Sequence, residues 1–211
     1  MRTRIKICGL TREQDVDAAV AAGADAIGFV FYPKSPRYVS PERAAELGRR
    51  VPPFVTIVGL FVNAAAEDIR AVLEQVPVNL LQFHGDEAEG QCRAWPIPYI
   101  RAARVRPGMD LVQYAIDFSS ARGILLDAFV EGFGGGGQTF DWSMIPATMP
   151  LPIVLSGGLT ADNVGEAVRR LRPPAVDVSS GVESAKGIKD AAKIAAFVAA
   201  VRAADQPAKD A

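Results

Sequence analysis

The chain has 211 residues, 49% of them hydrophobic, with 23 basic against 24 acidic side chains, two cysteines and one histidine. That length and apolar fraction suit one domain with one sizeable core, and two cysteines with no CxxC or zinc spacing exclude a disulfide scaffold and a structural metal. Balanced charge without a basic, aromatic-rich run argues against nucleic acid, and with no secretory apolar segment and no run near the roughly 20 residues that span a bilayer, the chain reads as soluble and cytoplasmic.

Apolar runs of strand length alternate with helical patterns along the chain. Lys6-Ile7-Cys8-Gly9-Leu10-Thr11 reads as a strand over Ile5 to Cys8 that ends at a thiol, turns at a glycine and enters a helix over about Glu13 to Ala22. Thr11 and Gln14 have the spacing of a capping box, and Gly23 suits the helix C-cap. A strand over Ala26 to Phe31 follows, then Ser40-Pro41 as N-cap and first-turn proline of a helix to about Arg50. Phe54 to Phe61 precedes a helix whose Ile69, Val72, Leu73 and Val76 form one apolar stripe. Leu80 to Phe83 is a fourth strand, followed by a weaker helix over about Glu87 to Trp95, a strand near Tyr99 to Ala103, a helix over about Asp110 to Phe118 and a strand over Ile124 to Asp127.

At Val130 to Gln138 a glycine run, Gly134 to Gly137, replaces the expected helix start and predicts a long mobile loop. A short helix is expected after Asp141. Ile153 to Leu155 then runs into Ser156-Gly157-Gly158, a helix capped by Thr160 carries Val164, Ala167, Val168 and Leu171, and Val176 to Val178 runs into Ser179-Ser180-Gly181. The last helix carries Ile194, Phe197, Val198 and Val201. These units predict a single (β/α)₈ barrel, a TIM barrel, over residues 1–203 and a frayed polar tail over 204–211. The strands lack alternation, as expected when both faces are covered. An open doubly wound sheet is the competing architecture, but no GxGxxG follows an early strand.

In a barrel, the carboxyl ends of the strands share one mouth, which would gather Cys8, His84, Asp127, Ser156-Gly157-Gly158 and Ser179-Ser180-Gly181, with Arg37 on the loop after the second strand. The two glycine-bearing turns follow the last two strands, where barrels present backbone N–H groups to a phosphate; tight turning alone would also call for glycine. Cys8 and Asp127 are the evident pair able to move protons in both directions, although a lone cysteine at a strand end is more often a small buried hydrophobe. Asp127 shifts that balance, since an unpaired carboxylate ending an apolar strand is costly to bury. His84 reads equally as structural or ligand-contacting, and Arg37 as a solvated loop charge or as a proline-braced anion clamp.

Lys6-Ile7-Cys8-Gly9-Leu10, Gly28-Phe29-Val30-Phe31 with Ser35-Pro36-Arg37, Leu81-Gln82-Phe83-His84-Gly85, Leu126-Asp127, Thr139-Phe140-Asp141-Trp142, Leu155-Ser156-Gly157-Gly158-Leu159 and Val176-Asp177-Val178-Ser179-Ser180-Gly181-Val182-Glu183 occur in an order that closely resembles the phosphoribosylanthranilate isomerase family. One departure is visible: members of that family usually carry Ser or Thr within the glycine loop and Lys soon after, where this chain has Gly136 and Gln138. The resemblance implies an Amadori rearrangement of N-(5-phosphoribosyl)anthranilate in tryptophan biosynthesis, with a phosphorylated small molecule as substrate and no cofactor, metal or obligate protein partner. It implies Asp127 as general acid and Cys8 as general base. It implies Arg37 at the anthranilate carboxylate and Asp177 near the substrate amine. The phosphate would be met by the turns containing Gly157, Gly158, Ser179, Ser180 and Gly181, with His84 as a supporting contact. Two alternatives are an indole-3-glycerol-phosphate synthase-like enzyme, whose lysine and glutamate at strand ends are not evident, and a silent phosphometabolite-binding barrel.

Strand parity suggests one further pair without help from the resemblance. If Cys8 faces the mouth, Lys6 faces the interior one layer below, where Asp177 of the adjoining last strand lies at comparable depth. Either the two form a buried ion pair, or Lys6 faces the helices and snorkels to water.

Overall fold

The computed structural model describes residues 2–128 and 139–206. Among these, eight parallel strands hydrogen-bond in chain order and close on themselves: β1 (Arg4–Cys8), β2 (Ala26–Val30), β3 (Thr56–Phe61), β4 (Leu80–Phe83), β5 (Tyr99–Val105), β6 (Ile124–Ala128), β7 (Ile153–Leu155) and β8 (Ala175–Val178). Helices α1 (Glu13–Ala21), α2 (Pro41–Gly48), α3 (Ala66–Gln75), α4 (Glu89–Cys92) and α5 (Leu111–Asp117) separate the first six strands, α6 (Ala161–Leu171) joins β7 to β8, and α7 (Ala191–Asp205) ends the fold. The expected loop over Val130 to Gln138 lies outside the described residues. Pairing of β8 with β1 makes this a (β/α)₈ barrel and removes the open-sheet alternative.

Two-residue periodicity divides the core. Ile5, Ile7, Ile27, Phe29, Leu81 and Phe83 point outward and join Val16, Leu47, Val164 and Phe197 of the helices in one apolar shell. The intervening positions point inward, where Ile100, Ala102 and Leu125 form one cluster and Cys8, Val30, Leu60 and Val62 another. Helix starts follow their cap chemistry: Ser40 Oγ accepts from Arg43 N at 3.2 Å, Thr160 Oγ1 accepts from Asp162 N at 3.3 Å, and Asn163 Oδ1 accepts from Thr160 N at 2.9 Å.

Several expectations are corrected. Helix α1 starts without a capping box: its N-cap is Arg12, with no side-chain cap, and Thr11 Oγ1 instead donates to Gly187 O at 2.8 Å. The helix expected over Glu87 to Trp95 is one turn, because Glu87 accepts from Asn63 N, Gly85 N and Arg101 and braces the β4 loop instead. An unexpected antiparallel hairpin, β9 (Glu183–Ala185) with β10 (Ile188–Lys189), follows β8. Helix α7 runs through Ala204 to Asp205, whose carboxylate accepts from the Thr3 N–H and hydroxyl, while 207–211 of the expected tail lie outside the described residues.

Candidate active site

Cys8 ends β1 and is almost fully buried at the floor of a pocket in the barrel mouth. It pairs in register with Gly28, and a side chain begun at Gly28 would meet Cys8 Sγ at 2.8 Å and Lys6 Cε at 3.2 Å, so thiol and lysine tip share the space that glycine leaves. Burial pushes the Cys8 thiol up from its ordinary value, and the Lys6 ammonium opposes that rise. Lys6 Nζ donates to Asp177 Oδ1 at 2.8 Å, both residues being buried and facing each other across the β1–β8 register. Burial would lower Lys6, but Asp177 and Cys8 outweigh it and hold the ammonium above its usual range. The buried-pair expectation is therefore met, and the snorkelling alternative is not. Ser156 Oγ donates to the other Asp177 oxygen at 3.4 Å.

Asp127 ends the apolar part of β6 and turns its carboxyl into the same pocket. Its Oδ1 accepts from Ala128 N at 2.9 Å, and its Oδ2 lies 3.2 Å from His84 Nε2. Gly157 makes room for this carboxyl: its φ is +80°, and a Cβ there would sit 2.6 Å from Ala128 N and 3.1 Å from Asp127 Oδ1. His84 thus lines the pocket and touches Asp127.

Arg37 is buried, which removes the solvated-charge reading. Its Nε and Nη2 donate to the two Glu183 oxygens at 2.7 and 2.9 Å, leaving Nη1 as the nitrogen that Glu183 does not engage. Lys189 Nζ bonds the same Glu183 carboxylate at 2.8 Å and donates to Ser179 O at 3.0 Å. One buried carboxylate thus links the arginine loop to the turn after β8. Burial alone would raise Glu183, but Arg37 and Lys189 hold it below the usual carboxylate value; burial prevails at Lys189 and lowers it.

The pocket gathers Cys8, Arg37, His84, Asp127, Gly157, Gly158, Asp177, Ser179 and Ser180. Gly181 is not among its lining residues. A Cβ there would collide with Leu159 O, so this glycine lets the turns after β7 and β8 pack together. Sequence reading missed Gln82, Glu183 and Lys189 as supporting residues. Parity could have found Gln82, two positions before His84 on one strand. No local signal marks Glu183 or Lys189, which meet each other in the hairpin and meet Arg37 and Ser179 only where the hairpin packs on the barrel mouth.

Fold and site define a class: a single-domain (β/α)₈-barrel enzyme with its ionisable groups at the carboxyl ends of the strands. A family model described as N-(5'phosphoribosyl)anthranilate (PRA) isomerase matches residues 5–200. A relative from Dechloromonas aromatica (strain RCB), named N-(5'-phosphoribosyl)anthranilate isomerase, is 71% identical over 206 residues, covering 98% of this chain and 99% of its own. One of the same name from Leptothrix cholodnii is 64% identical, covering 100% and 96%. The crystal structure of phosphoribosyl anthranilate isomerase from Thermotoga maritima superposes with a TM-score of 0.88 at 45% identity, covering 95% of this chain and 99% of that one. A structure of the isomerase in complex with reduced 1-(o-carboxyphenylamino)-1-deoxyribulose 5-phosphate has a TM-score of 0.85 at 43% identity, with the same coverages of 95% and 99%. The chain belongs to the N-(5'-phosphoribosyl)anthranilate isomerase family.

Proposed function

We propose that Cys8 and Asp127 divide between them the two proton transfers of this chain's reaction. The reaction is the isomerisation of N-(5'-phosphoribosyl)anthranilate to 1-(o-carboxyphenylamino)-1-deoxyribulose 5-phosphate, an Amadori rearrangement in tryptophan biosynthesis. Asp127 gives its proton to the ribose ring oxygen as the bond from that oxygen to C1 breaks and the anthranilate nitrogen lone pair forms a C1=N bond. The Cys8 thiolate then takes the proton on C2, and the electrons of that C–H bond neutralise the iminium to an enolamine. Tautomerisation, in which C1 takes up a proton as the C2 enol hydroxyl gives up its own, leaves the ketone at C2.

The observation that carries this reading is the convergence of the thiol and the carboxyl in one pocket, each beside a basic partner, Lys6 for Cys8 and His84 for Asp127. Arg37 Nη1 is the group suited to the anthranilate carboxylate. The turns containing Gly157, Gly158, Ser179 and Ser180, beside the start of the 11-residue α6, suit the phosphate. Asp177, already neutralised by Lys6, would lie near the substrate amine. So anionic a substrate does not cross a bilayer unaided, which fits a cytoplasmic location, and no helix among the described residues is long and apolar enough to cross a membrane.

The test follows the loss of fluorescence of freshly made phosphoribosylanthranilate. Cys8→Ala and Asp127→Asn are each expected to lower kcat by about 10² to 10⁴-fold with an unchanged circular dichroism spectrum. A Cys8→Ala protein keeping more than about a tenth of wild-type kcat would remove Cys8 from the base role. Arg37→Ala should chiefly raise KM, as loss of a contact to a spectator group does.

A further inference from the structure

Gln82 is fully buried on β4, two residues before His84, and both side chains face the barrel interior. Its amide Nε2 lies 3.1 Å from His84 Nδ1, and on the far side of the ring Nε2 lies 3.2 Å from Asp127 Oδ2. An amide nitrogen only donates, so Nδ1 must accept and the single proton of a neutral ring sits on Nε2, aimed at the carboxyl. Gln82 Oε1 has no hydrogen-bond partner among the described residues. Turning the amide over would not cure this, because it would put two N–H donors where one carbonyl now goes unpaired, and buried unpaired donors are the rarer and costlier case. The network therefore favours the amide donor on Nδ1.

We propose that Gln82 is a positioning residue for the acid: its donor on Nδ1 keeps His84 as the neutral Nε2–H tautomer. The Nε2–H then meets the Asp127 carboxylate as its proton passes to the ring oxygen and stabilises the charge that develops there. The proposal rests on the reading of Asp127 as the acid. An imidazolium at this distance would hold Asp127 ionised and unable to donate. A second ring proton on Nδ1 would point at the amide's own N–H groups, which is how Gln82 opposes it.

The other charged groups around the ring are compensated. On β5, Arg101 donates to the carbonyls of Phe83 and Gly85 on either side of His84 and is paired with Glu87; Asp86 of the following loop is held by Arg104. From β3 and the residue just after it the pocket receives Leu60 and Val62, and across it come Cys8 of β1 and Asp177 of β8, the latter paired with the buried Lys6. Among the described residues, Asp127 is the titratable partner in direct contact with the imidazole.

The chain has one histidine, so ¹⁵N-histidine NMR of the full-length protein reports on His84 alone. At neutral pH the wild type is expected to show a neutral ring protonated on Nε2. An Nδ1–H tautomer or an imidazolium would overturn the proposal before any variant is made. In Gln82→Met, which fills similar volume without a donor, the tautomer preference is expected to be lost or the ring to become protonated. Its kcat should fall on the order of 10-fold while KM stays within about twofold. A Gln82→Met protein with wild-type ring state and wild-type kcat also overturns the proposal. If that variant does not fold, the wild-type spectrum still decides. Full activity in Asp127→Asn would instead sink the acid assignment, a failure the ring spectrum keeps separate.

Discussion

Lys6 and Asp177 are 2.8 Å apart and both buried, so removing either leaves a charge without water or counter-ion. Lys6→Met is expected to cost about 3 to 5 kcal/mol in urea unfolding, whereas the double variant Lys6→Met/Asp177→Leu, which removes both charges, should recover much of that loss. The same lysine bears on the base. Burial holds the Cys8 thiol above its ordinary value, and an acid group's conjugate base accumulates as pH rises. The plot of kcat/KM against pH is therefore expected to climb through neutral into alkaline conditions, reporting the free enzyme. Without the Lys6 ammonium the thiol rises further, so Lys6→Met should shift the climb to higher pH. An unshifted climb would mean that Lys6 serves only Asp177.

At the scale of elements, the hairpin of β9 and β10 is the part that a plain strand and helix alternation does not need, and it supplies Glu183 and Lys189 to the site. Glu183→Gln should loosen Arg37 and raise KM by about 10-fold while leaving kcat nearly intact, since a hydrogen bond to a charged group contributes roughly 1.5 to 3 kcal/mol. Its effect on stability depends on pH. Glu183 is held below its unfolded value, so its contribution is present above about pH 4.3 and is lost as pH falls through the lowered folded value. The stability gap between wild type and Glu183→Gln, measured by thermal unfolding, is expected to narrow in acid. Elements with a local cause were legible in the residues: Ser40 with Pro41, Thr160 with Asn163 and Asp110 all start helices where their side chains accept the free backbone N–H groups. Thr11 and Glu87 misled because each side chain had a better partner in another part of the barrel.

For the whole molecule, closure ties the start of β1 to the last helix of the described residues. Asp205 of α7 accepts from Thr3, and Arg202 donates to Thr3 O at 2.6 Å and to Asp25. Asp205→Ala is expected to lower stability by about 1 to 3 kcal/mol, seen as a lower urea midpoint with an unchanged slope, since the surface exposed on unfolding is the same. The sequence by itself determined the alternation of apolar strands and amphipathic helices, hence a parallel barrel, and with it the gathering of Cys8, His84 and Asp127 at one mouth. A closed parallel sheet puts every strand's carboxyl end on the same rim, so a residue's place at a strand end already gives its place at the site. Parity likewise brought Lys6 to Asp177, because β1 and β8 must meet for the barrel to close. Only the tertiary structure decided that Arg37 is held by Glu183, that Lys189 joins it to the turn after β8, and that His84 stands between Gln82 and Asp127. Those partners are up to 146 residues apart, and their pairing follows from which loops closure brings together, a fact that no local periodicity or cap carries.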